Sequence, residues 1–146
     1  MNFYMKNSLL AGVLCAGALV PVQAEDQNMV AGYWLTEGQQ AIVEIAPCGT
    51  SAKRICGTIV WAETGAEQVL GGEILKGFRP IDKKASDKWA QGKVAMSTKG
   101  RGLDGKLDLI EEGLKVSICK GSSCTYSIWS RPSSSMTAAA GLRSGG

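Results

Sequence analysis

Four cysteines in the body of this 146-residue chain fall into two short-range pairs, Cys48 with Cys56 and Cys119 with Cys124, and a fifth, Cys15, lies in an apolar leader. The leader carries Lys6, an apolar run from Ser8 to Val20, and then Pro21-Val22-Gln23-Ala24, a small-residue site suited to cleavage after Ala24. That run is shorter than the ~20 apolar residues of a spanning helix. The chain is therefore read as a signal peptide over 1–24 followed by a secreted or periplasmic domain with no stable membrane insertion. Leu14 precedes Cys15 where a lipoprotein needs a small residue, so Cys15 is expected to leave with the leader.

In an oxidising compartment the other four cysteines are expected to form disulfides. The spacings C-x7-C and C-x4-C lack the tight C-x2-C knuckles of structural zinc sites. Three pairings exist in principle, and the two local ones are preferred because each pair flanks a turn-like segment. Loops this short contribute on the order of 2–3 kcal/mol each in the chain-entropy model, less any strain.

About 120 residues remain after the leader, enough for one modest core. Basic residues number 16 and acidic ones 13, and losing Lys6 leaves a net charge of +2. Lys83-Lys84 is the nearest approach to a basic cluster and no aromatic residues interleave with it, so no nucleic-acid partner is expected.

Period-2 alternation dominates the body, and no stretch keeps a helical period for three turns. The predicted class is all-β, with sequential antiparallel strands. Ala41, Val43 and Ile45 mark one strand; Ile55, Gly57, Ile59 and Trp61 share a face of the next, with a polar loop from Gly49 to Arg54 between them. Leu107 and Leu109 lead into a Glu111-Glu112-Gly113 turn. Leu114, Val116 and Ile118 alternate with Lys115, Ser117 and Cys119, and Lys120 to Ser123 turns the chain toward Cys124, Tyr126 and Ile128. A strand is expected from Lys93 to Ser97, and Thr64 to Lys88 reads as a long connection with room for one short strand or helical turn. The domain is placed at 25–131, with 132–146 a disordered tail.

Gly32-Tyr33-Trp34 at the first strand resembles the G-x-W signature of lipocalin-type barrels. Together with Ala41-Ile42-Val43-Glu44-Ile45, Cys56-Gly57-Thr58-Ile59-Val60-Trp61, Leu75-Lys76-Gly77-Phe78, Trp89, Gly92 and Trp129-Ser130-Arg131, the order is similar to the secreted bacterial family called domain of unknown function 2147. The resemblance runs from about Gly32 to Arg131. It implies a small up-and-down, lipocalin-like barrel of about seven or eight strands and, as function, at most the binding of a small molecule. The chain departs from the family after Trp61, where Thr64 to Val69 replaces an Asp, an Asn-Pro pair and Arg-rich residues. It departs again at Thr98 to Gly105, where the family carries a Pro and a Tyr. In such barrels the Trp plugs one end and a cation from the last strand lies over its ring, roles assigned to Trp34 and Arg131. If Tyr126 and Ile128 point inward, alternation sends Trp129 and Arg131 outward, and either a bulge near Ser130 or a place for Arg131 just past the strand end would resolve the conflict.

The chain has no histidine, which removes the commonest general base and metal ligand. With its cysteines oxidised it has no thiolate. Glu111, Glu112, Asp104 and Asp108 read as solvated turn and hairpin residues. No catalysis, cofactor or metal is therefore expected. Trp61, Phe78 and Trp89, near the long connection, could form the aromatic wall of an apolar ligand site, or simply fill the core. Arg79 could meet a ligand carboxylate. Two functions follow: a carrier or sensor of a small hydrophobic molecule, or a disulfide-stabilised interaction module with a filled barrel and an unidentified protein partner.

Overall fold

The computed structural model describes residues 17, 29–82, 87–95, 97 and 100–143. The leader with its cleavage site, Cys15, Lys83-Lys84 and Thr98-Lys99 lie outside the described residues. Eight strands form one antiparallel sheet in sequence order: β1 (Gly32–Leu35), β2 (Ala41–Cys48), β3 (Ser51–Ala62), β4 (Glu73–Pro80), β5 (Lys88–Val94), β6 (Leu103–Ile110), β7 (Gly113–Lys120) and β8 (Ser123–Trp129). The sheet curls until its two edges meet at one bridge. There Leu35 and Ser130 exchange both backbone hydrogen bonds, at 2.7 and 3.0 Å. Hairpin turns alternate between two mouths in this topology. The turns after β1, β3, β5 and β7 share one mouth; those after β2, β4 and β6 share the other, where β1 begins and β8 ends.

The expected pairs are both bonded, Cys48 to Cys56 and Cys119 to Cys124. Val43, Ile45, Ile55, Ile59, Leu75, Phe78, Trp89, Val94, Leu107, Leu114, Val116 and Trp129 line the inside and form one core with Val30 and Trp34. Cys56 follows the core residue Ile55 and Cys119 follows Ile118, which packs on the core, so both bridges sit on the outer face. This is the position in which a cross-strand bond pins register without occupying core volume.

Four expectations are corrected. The Thr64–Lys88 connection contains β4 and, before it, a one-turn 3-10 helix over Glu67–Val69. Strand β4 lacks an even alternation because Gly77, at φ +69°, forms a bulge that lets both Leu75 and Phe78 face inward. Strand β5 begins at Lys88 and ends at Val94, earlier than the Lys93–Ser97 assignment, with Trp89 as its first buried residue. Beyond Pro132 the chain forms helix α1 (Ser134–Ala139), where a disordered tail is expected. Ser133 caps it by accepting the Met136 N–H at 3.2 Å, and Thr137 is buried. Finally, Trp129 faces inward while Tyr126 and Ile128 face outward, because Trp129 lies opposite the core residue Leu114.

Phe78 illustrates how tightly the interior is filled. A Cβ added at Gly92 would lie 2.4 Å from its ring, and one at Gly105 2.9 Å from its Cζ. Gly92 and Gly105 are paired across β5 and β6, so the ring lies flat on a side-chain-free patch of wall. Gly92→Ala should therefore destabilise the protein by about 1–3 kcal/mol, the range for overpacking a closed core. Combining it with Phe78→Leu should cost less than the sum of the two changes, measured by urea unfolding as a double-mutant cycle.

Candidate binding site and barrel closure

Trp34, Arg131 and the backbone before β1 assemble the closed end. The Trp34 indole N–H donates to the Val30 carbonyl at 2.7 Å, which draws the 29–31 segment under the barrel. The Arg131 guanidinium carbon lies 3.8 Å from the centroid of a Trp34 ring. Its two terminal nitrogens donate to the Tyr33 carbonyl at 3.1 Å and the Met29 carbonyl at 2.7 Å. Gly32 makes room for this: its φ is +103°, and a Cβ there would sit 3.0 Å from Arg131 Nη1. Arg131 shares the inward parity of Trp129, and Ser130 bridges directly to Leu35, so no bulge is required. Desolvation holds the guanidinium below the usual arginine range, and it stays cationic. Trp34 and Arg131 thus carry a structural seam.

The proposed aromatic wall does not converge. Phe78 and Trp89 are sealed in the core, at 0% and 2% exposure. Trp61 is half-buried and pairs with Ile42, which pairs in turn with Leu35; a bulge in β3 between Ile59 and Trp61 turns that row to the outer face, opposite Trp34, Val43 and Ile59, where Ile59 and Trp61 are expected to share a face. Arg79 is exposed, opposite Ala90 on β5. A water-sized void against the inner wall would leave exposed surface on the side chains around it. Val30, Val43, Phe78, Leu107 and Leu114 all stand at 0%, so their part of the interior is filled.

Partly exposed apolar side chains collect instead at the mouth away from Arg131. Ala41, Ala66, Val69, Ile74 and Ile118 pack on the core while remaining partly open, and all lie at strand ends or turns of that mouth. Leu70 and Leu103, both exposed large apolar residues, belong to the same end, while Met29, Ile81 and Leu109 lie at the Arg131 end. Leu103 lies opposite the inward Val94. The 3-10 turn over Glu67–Val69 partly covers this mouth, and β3 anchors it: Gly71 N–H donates to the Ile59 carbonyl at 2.8 Å, and Ile59 N–H to the Gly72 carbonyl at 2.9 Å. Alternation alone did not reveal this site, because its residues sit where strands end and the period is lost.

The acidic residues remain dispersed. Glu111 and Glu112 are exposed in the β6–β7 turn, and Asp104 pairs with Lys93 at 2.5 Å on the surface. Among the described residues no three of His, Cys, Asp and Glu gather to hold a metal, and no described helix is long and apolar enough to cross a membrane.

Two outcomes follow. Arg131→Lys keeps the charge but loses the fork that reaches two carbonyls, and should lower stability by about 1–2 kcal/mol while shifting Trp34 emission. Glu67 titrates below its ordinary value of 4.5, chiefly because the Gly65 N–H donates to its carboxylate and secondarily through its own N–H. A depressed carboxylate stabilises above its ordinary pKa and loses that contribution as pH falls through the lowered value. The Gly65 amide resonance should therefore move with an apparent pKa below 4.5, and Glu67→Gln should abolish the movement.

A solved structure of protein HP1028 from Helicobacter pylori, described as belonging to the lipocalin family, is similar over 80% of this chain and 91% of that one, with a TM-score of 0.58 and 12% sequence identity. That likeness supports the lipocalin-like fold. No curated protein matches the chain. A family model matches residues 32–131, from the glycine beneath Arg131 to Arg131 itself, and the chain belongs to that family, described as an uncharacterized protein conserved in bacteria (DUF2147).

Proposed function

We propose that the mature chain is a non-catalytic periplasmic or secreted protein that takes a small hydrophobic molecule at its open mouth. The observation that carries this reading is the ring of partly exposed apolar side chains there, Val69, Leu70, Ile74, Leu103 and Ile118, above a core already filled. Apolar area left open gains about 25 cal/mol per Å2 when covered. The depth available limits the ligand: a molecule that lies across the rim fits, whereas one needing a deep channel would have to displace Phe78 or Leu107. The two disulfides support an oxidising compartment.

A filled interior also favours the second reading, an interaction module. Native mass spectrometry of residues 25–146, before and after organic extraction, separates the two. A co-purifying apolar molecule, or uptake of a short-chain fatty-acid probe, supports the mouth site. Leu70→Ser with Leu103→Ser should then weaken probe binding about thirtyfold, since each removes on the order of 1 kcal/mol of apolar contact. An empty protein that takes up no probe, or binding unchanged in the double variant, sinks the mouth site.

A further inference from the structure

Basic residues that lie far apart in the sequence meet on one outer wall, and strand register is what gathers them. Lys76 on β4 stands directly opposite Lys93 on β5, whose neighbour on β6 is Asp104. Lys88 on β5 stands opposite Asp108, which faces Lys115 on β7. Each of these lysines adjoins an inward residue, Lys76 next to Leu75, Lys88 next to Trp89, Lys93 next to Val94 and Lys115 next to Leu114, and so points outward. Lys106, beside Leu107, and Arg79, after Phe78, join the same face. Arg54 flanks the wall from β3, its Nη1 the nearest atom to a Cβ built at Gly77, and Lys115 flanks it from β7 with its ammonium 4.5 Å over the Tyr126 ring. Seven cations thus share the wall with two carboxylates, a net +5 in a chain whose total is +3, which leaves −2 for everything else. The other acids of these strands and turns lie at the ends, Glu73 at the mouth and Asp82, Asp87, Glu111 and Glu112 at the Arg131 end.

Like charges directly opposite each other work against a sheet, and nothing in barrel closure requires Lys76 to face Lys93. The fold relieves that pair only in part: Lys93 bonds Asp104, and the Lys76 ammonium donates to the Gly100 carbonyl at 3.2 Å. Arg54, Arg79, Lys88, Lys93 and Lys106 are all exposed. We infer that this wall adsorbs, without insertion, to a bilayer surface rich in anionic lipid headgroups. Charge makes the partner an anion, and shape makes it a plane. The outside of a barrel is convex, with no groove to grip a polymer chain, and no aromatic ring stands outward among the cations of β4 to β6 for bases to stack on. Those three strands span roughly 10 Å, so a plane touches them along their length while the long side chains on either flank reach the same plane. Five of the seven cations are lysine. Point charges on mobile stems follow a fluid array of headgroups, whereas arginine forks suit fixed bidentate partners.

The inference is independent of the mouth site. Residues 25–146, which contain every strand and helix described, are sedimented with vesicles of phosphatidylcholine alone or with about one-third phosphatidylglycerol. Binding should require the anionic lipid and weaken at least tenfold as salt is raised from low to physiological strength, because exposed charges are screened. Arg79→Gln with Lys106→Gln should weaken partitioning about thirtyfold, the loss expected for two cations near a charged surface. Lys120→Gln with Arg143→Gln removes the same charge from outside the wall and should weaken it less than threefold. Unchanged far-ultraviolet circular dichroism and unfolding midpoints establish that both double variants keep the barrel. A chain that binds neither vesicle at low salt overturns the inference, and so does an equal loss in the two double variants, which makes the effect one of net charge alone. Equal binding to neutral vesicles overturns it in favour of apolar contact through the mouth. Binding to soluble polyglutamate but not to anionic vesicles overturns it in favour of an acidic protein partner.

Discussion

Everything in this barrel depends on joining the first strand to the last, and backbone pairing does little of it. One bridge, Leu35 to Ser130, links the two edges of an eight-stranded sheet. The rest of the joint is made by Arg131, which reaches past the end of β8 to the Tyr33 and Met29 carbonyls and lays its guanidinium on Trp34. A planar, permanently charged fork suits the task, because it serves two acceptors on one side and an aromatic face on another. The G-x-W spacing follows from the same geometry. Gly32 leaves space for the fork and Trp34 supplies the surface under it, and each is of little use without the other.

How the core is filled then decides where a ligand could go. Four strands contribute to the Phe78 neighbourhood, and glycines at 92 and 105 let the ring lie against the wall. An aromatic residue placed that way contributes burial, yet no room is left beside it: Phe78, Leu107 and Leu114 have no exposed surface. Small lipocalin-like barrels stand near the width at which side chains and one ligand compete for the same space. Here the side chains occupy the middle and the closed end, and most of the apolar side chains that pack on the core while staying partly open lie at the opposite rim.

Much of this was legible in the residues and some was not. Both disulfides, the hairpins they brace, the sequential antiparallel order and the Trp34–Arg131 contact follow from spacing, alternation and the family resemblance. The direction of β8 was readable too, though alternation by itself was ambiguous between the two faces. Cys119 alternates with the apolar Val116 and Ile118, so it faces out; a bond to Cys124 forces that residue out, and Tyr126 and Ile128 with it. Three features escaped for a shared physical reason. Strand β4 breaks its period at the Gly77 bulge, β5 buries Trp89 one residue after its start, and α1 is a single capped stretch of small residues too short to show a helical period. The mouth residues escaped because they sit where strand periodicity ends.

The brevity of β1 connects the seam to both the mouth and the β8 edge, which has no strand partner before Ser130 among the described residues. A longer first strand would continue past Leu35 alongside Ile128, Tyr126 and Cys124, covering the β8 edge and deepening the mouth above Ile118. The chain instead turns at Thr36, held by the hydroxyl and amide of that residue against Ala41. Closure is therefore concentrated at the end where Arg131 can supply it, and the opposite end keeps an apolar rim and an unpaired strand. A barrel stapled at one end by side chains can leave the other end bare without losing register, because both disulfide-linked hairpins hold their strands from the outer face.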